Sequence, residues 1–175
     1  MIKLDLSENE LSDKGVTLLC QALTENTSVE LLFLRKCSLT INDQSGSAIC
    51  QLLSRNVYLK YLNLSWNHIS SCHQIADGLA RNRTLTTLHL CSCDLNDQSV
   101  QDLSNGLNNY IEELYLHGCN TITEAGMYLL ASKIVNLISL KHLWIPSRSS
   151  IGSVFDELNK DRLRCGLSEI RVTCK

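Results

Sequence analysis

The chain has 175 residues, a formal net charge of −2 and 44% hydrophobic residues, with aromatics at 5% and a single proline, Pro146. That length suits one domain around one core, and the near-neutral charge gives no electrostatic basis for binding nucleic acid or an anionic membrane. Apolar residues never run unbroken for more than a few positions, so the sequence predicts neither a transmembrane span nor a signal peptide.

In chain order, the first predicted element is a short strand in LDLSEN, beginning at Leu4. A helix follows, with Val16, Leu19 and Leu23 spaced i, i+3, i+7 as one inward stripe. The same unit then returns: LFLRKC at Leu32, LNLSWN at Leu62, LHLCSC at Leu88 and LYLHGC at Leu114. Two divergent copies close the series, Leu143-Trp144-Ile145 and Ile170-Arg171-Val172. Successive spacings are 28, 30, 26, 26, 29 and 27 residues. The alternating LxL is a strand whose leucines face one side. Val100, Leu103 and Leu107, then Met127, Leu130 and Ile134, repeat the helical stripe. Most copies also carry an apolar residue three positions before the strand: Val29, Leu59, Leu85, Ile111, Leu140 and Leu167.

Each turn and cap has a predicted chemistry. After the strands, Asn9 and Asn67 can satisfy buried turn backbone, and Cys37, Cys93 and Cys119 take the same place as small buried donors. Ser12-Asp13, Asn42-Asp43, Ser70-Ser71, Asn96-Asp97 and Thr123-Glu124 are predicted helix N-caps. Asn26, Asn56, Asn82, Asn108 and Asn136 are predicted to close helices in left-handed geometry. At the end, Ile151, Phe155 and Leu158 predict a short helix before a last strand, a terminal cap that includes Pro146 and DELNKDRLR. At the start, Met1-Ile2 enters the first strand without a polar cap, so the expectation is that further repeats or another domain precede it.

The predicted organisation is a single α/β solenoid domain over 1–175, with repeats near 1–28, 29–58, 59–84, 85–110, 111–139 and 140–166 and a terminal strand at 167–175. One strand–helix unit cannot bury its leucines alone, whereas stacked units share a continuous core. About seven short parallel strands then line the concave side of an arc, with helices on the convex side. The period near 28, the exchange of Asn and Cys at the turn, and segments such as LDLSENELSDKGVTLLCQAL and LYLHGCNTITEAGMYLL resemble the ribonuclease-inhibitor-like class of leucine-rich repeats. Within that class, the chain is most similar to the C-terminal repeat region of nucleotide-binding, leucine-rich-repeat (NLR) receptors of innate immunity. The resemblance implies a cytoplasmic, non-catalytic recognition module, either ligand-sensing or autoinhibitory, within a larger chain. Ran-type GTPase-activating proteins and ribonuclease inhibitors share the repeat and are the alternatives. No G-x-x-x-x-G-K-[ST] occurs, so any nucleotide-binding module lies outside these residues.

Side chains between the LxL leucines project from the concave sheet. The predicted central row is Asp5, Phe33, Asn63, His89, Tyr115, Trp144 and Arg171; one flank is Lys3, Leu31, Tyr61, Thr87, Glu113, His142 and Glu169. The other flank is Ser7, Arg35, Ser65, Cys91, His117, Pro146 and Thr173, with Trp66 just beyond it. Aromatics on a rigid sheet anchor interfaces, although cross-strand ring packing also stabilises a sheet by itself. The candidate protein-binding residues are Phe33, Arg35, Tyr61, Asn63, Trp66, His89, Tyr115, His117, His142 and Trp144. A mixed-charge face argues against an acidic surface for basic nucleases.

No catalytic, cofactor or metal site is predicted. His89, Cys91 and His117 lack a fourth ligand for tetrahedral zinc, and the acids Asp5, Glu113 and Glu169 sit on separate strands without a nucleophile–base pair. His68 and His73 are expected to be solvated loop residues. Nine cysteines, an odd number with no CxxC, fit reduced thiols better than a disulfide framework. The N-x-S/T triplets at Asn26, Asn63 and Asn82 are read as incidental.

Overall fold

A computed structural model describes residues 2–147 and 151–174, without the side chains of residues 151 and 152; Met1 lies outside the described residues, as does the side chain of Ile151. Strands and helices alternate along the chain: β1 (Ile2–Asp5), α1 (Ser12–Thr24), β2 (Val29–Phe33), α2 (Asp43–Arg55), β3 (Tyr61–Asn63), α3 (His73–Arg81) and β4 (Thr87–His89). Then follow α4 (Asp97–Gly106), β5 (Glu113–Tyr115), α5 (Glu124–Ile134), β6 (His142–Ile145), α6 (Ile151–Arg164) and β7 (Arg171–Cys174). The seven strands form one parallel sheet in sequence order. Parallel neighbours need a crossover, and here each crossover is a helix that packs on the next. This is the expected leucine-rich-repeat arc.

The core lies between sheet and helices. Leu32, Leu62, Leu88, Leu114 and Leu143 are buried, as are the second members Leu34, Leu64, Leu90, Leu116 and Ile145. Opposite them stand Val16 and Cys20 of α1, Ile49 and Leu52 of α2, Ile75 and Leu79 of α3, Val100 and Leu103 of α4, and Met127, Leu130 and Ile134 of α5. Phe155 and Leu158 of α6 complete it, on a helix of 14 residues rather than a short one. The helical stripes run as predicted, except that Cys20 takes the fully inward place in α1 and Leu19 is half-buried. Leu4 and Leu6 are also half-buried, because β1 is paired on one side only.

The terminal register differs from expectation by two residues. Leu143 pairs with Val172, Trp144 with Thr173 and His142 with Arg171. The period-2 pattern of Ile170, Val172 and Cys174 satisfies either register. The side chain of Asn159 selects one: it accepts from the Ile170 N–H at 2.9 Å and donates to the Ile170 carbonyl at 3.0 Å, fixing Ile170 in the core ahead of the strand. The central row therefore ends in Thr173 instead of Arg171, and its flank in Arg171 instead of Glu169.

Side-chain amides and thiols join consecutive repeats. Asn67 donates to the Leu34 and Leu64 carbonyls, both at 2.8 Å, and accepts from the N–H groups of Cys37 and Leu39 at 2.8 and 3.2 Å. The thiols of Cys37, Cys93 and Cys119 donate to the carbonyls of Leu6, Leu64 and Leu90 of the preceding repeat at 3.2, 3.5 and 3.1 Å. Burial pushes the Cys93 thiol up to about 12 and Cys119 to about 11. These groups are protonated donors, as the sequence predicts.

The helix ends bring two corrections. None of Asn26, Asn56, Asn82, Asn108 and Asn136 is left-handed. Asn56 and Asn82 are extended, at φ −70° and −71°, and work as a second inter-repeat ladder. Asn56 donates to the Leu23 and Asn26 carbonyls, and Asn108 to those of Leu79 and Asn82. The left-handed position falls instead just after each of the first five strands, at Glu8, Lys36, Trp66, Ser92 and Gly118. Among the caps, Asn42, Asn96 and Thr123 accept from helix N–H groups as predicted. Ser12-Asp13 and Ser70-Ser71 do not; the N-cap positions there are Leu11 and Cys72, without a side-chain bond. Asp13 reaches to repeat two, accepting from Thr40, Ile41 and Ser45.

Two glycines report how close the helices pack. A Cβ on Gly106 of α4 would lie 2.3 Å from the Ala76 carbonyl oxygen and 2.5 Å from its Cα, both backbone atoms of α3 that cannot swing away. Gly106→Ala is therefore expected to destabilise by about 1–3 kcal/mol through overpacking. At Gly15 the nearest atom is Leu11 Cβ at an ordinary 3.4 Å, so Gly15→Ala is expected to stabilise by about 0.5–1 kcal/mol. Urea melts of the two variants check this; equal shifts would contradict the helix spacing.

Candidate protein-binding face

On the sheet face opposite the helices, side chains on successive parallel strands stand in rows. The register places Phe33 opposite Asn63, Asn63 opposite His89, His89 opposite Tyr115 and Tyr115 opposite Trp144. Ring centroids are 3.7 Å apart for His89–Tyr115 and 4.0 Å for Tyr115–Trp144, with interplanar angles of 11° and 8°. Those spacings are stacked contacts. Repeat three has no ring at Asn63, and Tyr61, two residues earlier on the same face, fills the gap. It lies 4.6 Å from Phe33 and 4.9 Å from His89. The Lys3 ammonium sits 4.5 Å over Phe33 at one end, and His142 meets Trp144 edge-on at 5.4 Å near the other. One continuous aromatic ladder thus crosses β2 to β6.

The electrostatics of the face are closed on themselves. Burial between Tyr61 and Tyr115 pushes His89 down to about 4, so its imidazole is neutral at physiological pH. Burial raises the Tyr115 phenol well above its ordinary value, and the hydrogen bond that its hydroxyl donates to Glu113 at 2.9 Å adds to the shift. His142 Nδ1 lies 3.3 Å from the other Glu113 oxygen. Asp5 pairs with Lys3 at 3.0 Å on this face, whereas the pairs Glu30–Lys60 at 2.8 Å and Glu112–Lys141 at 2.6 Å involve residues that alternate with its rows, at the entry to the strands.

Of the ten residues predicted, six are brought into the ladder: Phe33, Tyr61, His89, Tyr115, His142 and Trp144. Asn63 lies within it, its side-chain amide oxygen accepting from Ser65 N–H at 2.9 Å. Arg35, Trp66 and His117 stand apart at the rim where the strands turn. Trp66 is 54% exposed, and its backbone is left-handed at φ 62°, an unusual conformation for a bulky residue. The Arg35 guanidinium covers its ring at 5.4 Å and is ion-paired with Glu8. His117 Nδ1 is 3.3 Å from the buried Cys91 thiol. Burial raises that thiol above its usual value, which makes it a protonated hydrogen-bond donor rather than a nucleophile. His68 is exposed and paired with Asp94, while His73 opens α3 instead of lying in a loop. Among the described residues, no group of three or more His, Cys, Asp or Glu is placed to hold a metal ion. Likewise, no helix there is long and apolar enough to cross a membrane. Lys3 over Phe33 is the contact that sequence reasoning missed; its signal was a cation two positions before Asp5, in the row beside the rings.

The family model described as Leucine Rich repeat matches residues 1–20, 55–77 and 81–104. Over 154 residues, covering 82% of the chain, it is 34% identical to the human NACHT, LRR and PYD domains-containing protein 12. Over 145 residues, covering 81%, it is 29% identical to mouse ribonuclease inhibitor. These alignments span 14% and 25% of those two relatives. A solved structure titled Leiomodin-1 Actin-Binding Site 2 shares the fold at TM-score 0.57 and 18% identity, covering 94% of this chain and 82% of that one.

The chain is therefore a leucine-rich-repeat solenoid of the ribonuclease-inhibitor-like class. Its repeats are those of the NLR type, similar to the NACHT, LRR and PYD domains-containing proteins from several mammals.

Proposed function

We propose that the chain is a non-catalytic, cytosolic protein-recognition module, and that it serves as the ligand-sensing or autoinhibitory repeat region of an NLR-type receptor. The observation that carries this reading is the aromatic ladder, a rigid row of half-buried rings on an open sheet face. Aromatic side chains supply a large contact area at a small entropic cost and dominate interface energetics. The cytosolic placement rests on nine free cysteines, six of them buried. Similarity to ribonuclease inhibitor supports a second reading as an inhibitor-like binder. The acids in the face rows, Asp5 and Glu113, stand among the cations Lys3, Arg35 and Arg171, without the acidic surplus that a basic nuclease would need.

The test is a triple variant, Phe33→Ser, Tyr115→Ser and Trp144→Ser, in the 175-residue chain. A cytosolic partner captured by the parent chain, then purified, is expected to bind the variant at least about 30-fold more weakly, as for removal of hot-spot residues. The variant should keep its far-UV circular dichroism, since the rings lie outside the leucine core. Undiminished affinity in a folded variant would sink the reading.

A further inference from the structure

Two asparagines of the first repeat hold unused hydrogen-bonding capacity on the same side. Asn67 bonds in both directions. Its amide nitrogen donates to Leu64 and Ser65 of its own repeat at 2.8 and 3.4 Å and to Leu34 of the repeat before at 2.8 Å. Its oxygen accepts from Cys37 and Leu39 of that earlier repeat. Asn9 occupies the same turn position and makes only the own-repeat half, donating to Leu6 and Ser7 at 2.9 and 3.2 Å. Among the described residues its amide oxygen has no donor. The helix end repeats this. The Asn26 oxygen accepts from Ser28 and Val29, as that of Asn56 does from Tyr58 and Leu59. The Asn56 nitrogen also reaches back to Leu23 and Asn26, whereas the Asn26 nitrogen meets no acceptor among the described residues.

The surface between these two amides is one-sided as well. Leu4, Leu6 and Leu11 are half-buried, whereas their counterparts Leu32, Leu34 and Leu39 in repeat two are fully buried. The strand β1 is paired with β2 alone. In the row that begins with Lys3, the N–H groups of Thr87, Glu113 and His142 donate to Lys60, Thr86 and Glu112 of the preceding repeat at 3.0, 3.0 and 3.1 Å. The Lys3 N–H stands at the head of that row, on the unpaired side of β1.

We infer that this end of the sheet is an inter-repeat joint that takes one further leucine-rich unit, stacked on β1 as repeat two is stacked on β3. The unit brings a parallel strand whose carbonyl accepts from Lys3, a turn whose two N–H groups meet Asn9, and a helix whose last carbonyls meet Asn26. A unit of this class supplies all three at the joints already present in the sheet. The combination selects the occupant. A lone extended segment satisfies β1 and leaves Asn26 open. A second copy of the chain, offered through β7, has no helix after that strand among the described residues. A unit seated this way ends where β1 starts, as repeat two ends at Lys60 directly ahead of Tyr61, so the two are consecutive repeats of one polypeptide. The inference is independent of what the inner face does.

The test splices a second copy of residues 31–60, the unit that already meets Asn67 and Asn82, directly ahead of Lys3. The Lys3 amide is expected to exchange with deuterated solvent at least about tenfold more slowly than in the 175-residue chain. Asn9→Ala should lower the folding equilibrium constant at least about tenfold more in the extended chain than in the parent, and Asn26→Ala at least about threefold more, because groups in one hydrogen-bond network are coupled. A flexible Gly-Ser segment of equal length should produce neither effect. Lys3 exchange that the added unit leaves unchanged, whether or not that unit folds, overturns the inference. Equal effects of Asn9→Ala in the two chains do the same. A 175-residue chain that dimerises, with the dimer lost on Asn9→Ala, makes a second copy the occupant and also overturns it.

Discussion

Arg162→Ala is expected to destabilise the chain by about 3–5 kcal/mol, the range for removing one member of a buried, hydrogen-bonded charged arrangement. Arg162 belongs to α6 and is completely buried. Its Nη1 donates to the carbonyls of Ile134, Val135 and Leu137 at 2.9, 3.1 and 2.8 Å, and its Nε to Ser168 at 2.9 Å. No ion pair engages it among the described residues. The cation is balanced instead by the C-terminal end of α5, where orphan carbonyls carry the negative end of the helix dipole. Alanine leaves those carbonyls buried and unsatisfied, each costing about 1–3 kcal/mol, and opens a void beside Phe155 and Leu158. Arg162→Met fills the volume and removes a buried cation whose Nη2 has no hydrogen-bond partner among the described residues. It is expected to lose roughly half as much. Urea titration measures the totals, and hydrogen exchange should show the loss first at the C-terminal end of α5 and in β7. An Arg162→Met chain as stable as the parent would mean that packing, not carbonyl capping, is the role of this side chain.

Asn67→Ala is expected to cost about 3–5 kcal/mol, from two backbone donors and the Leu34 carbonyl left in a dry interior and the Leu64 carbonyl left to the weak Cys93 thiol. Among the described residues its amide is the only side-chain partner of the Cys37 and Leu39 N–H groups, and water cannot replace it where the residue is 2% exposed. Asn67→Cys should be milder, about half the loss, because a thiol can donate to Leu34 as Cys93 donates to Leu64. The thiol has no oxygen to accept from the two N–H groups, so it should not match the parent. A melt in which Cys equals Asn would show that the acceptor half of the amide contributes nothing.

The sequence makes the fold legible because LxL alternation and the helical stripes act in the same direction in every repeat, and stacking leaves them one arrangement. It leaves the last strand ambiguous, since Ile170, Val172 and Cys174 alternate evenly and only the distant amide of Asn159 decides the register. The closing asparagines are also ambiguous. The sequence shows Asn at a helix end, but its hydrogen bonds run to a neighbouring repeat about 30 residues away, as from Asn56 to Leu23. Arg162 reads as one charge in DELNKDRLR until α6 is laid against α5. Most of the candidate face was visible as rows, because parallel register in a solenoid follows from the repeat. The bend of Tyr61 into the gap at Asn63 was not, because it depends on ring packing between three strands.

The ring spacings also bear on how the arc behaves mechanically. Strand backbones lie ~4.8 Å apart, whereas His89, Tyr115 and Trp144 are 3.7 and 4.0 Å apart in front of them. Rings closer together than the strands that carry them are what the inside of a curve produces. Flattening the arc would draw these rings apart and break their contacts, so the ladder works as a spine that resists unbending. If the ladder is the binding surface proposed above, a partner would meet a shape set before contact, and little binding energy would be spent on ordering side chains.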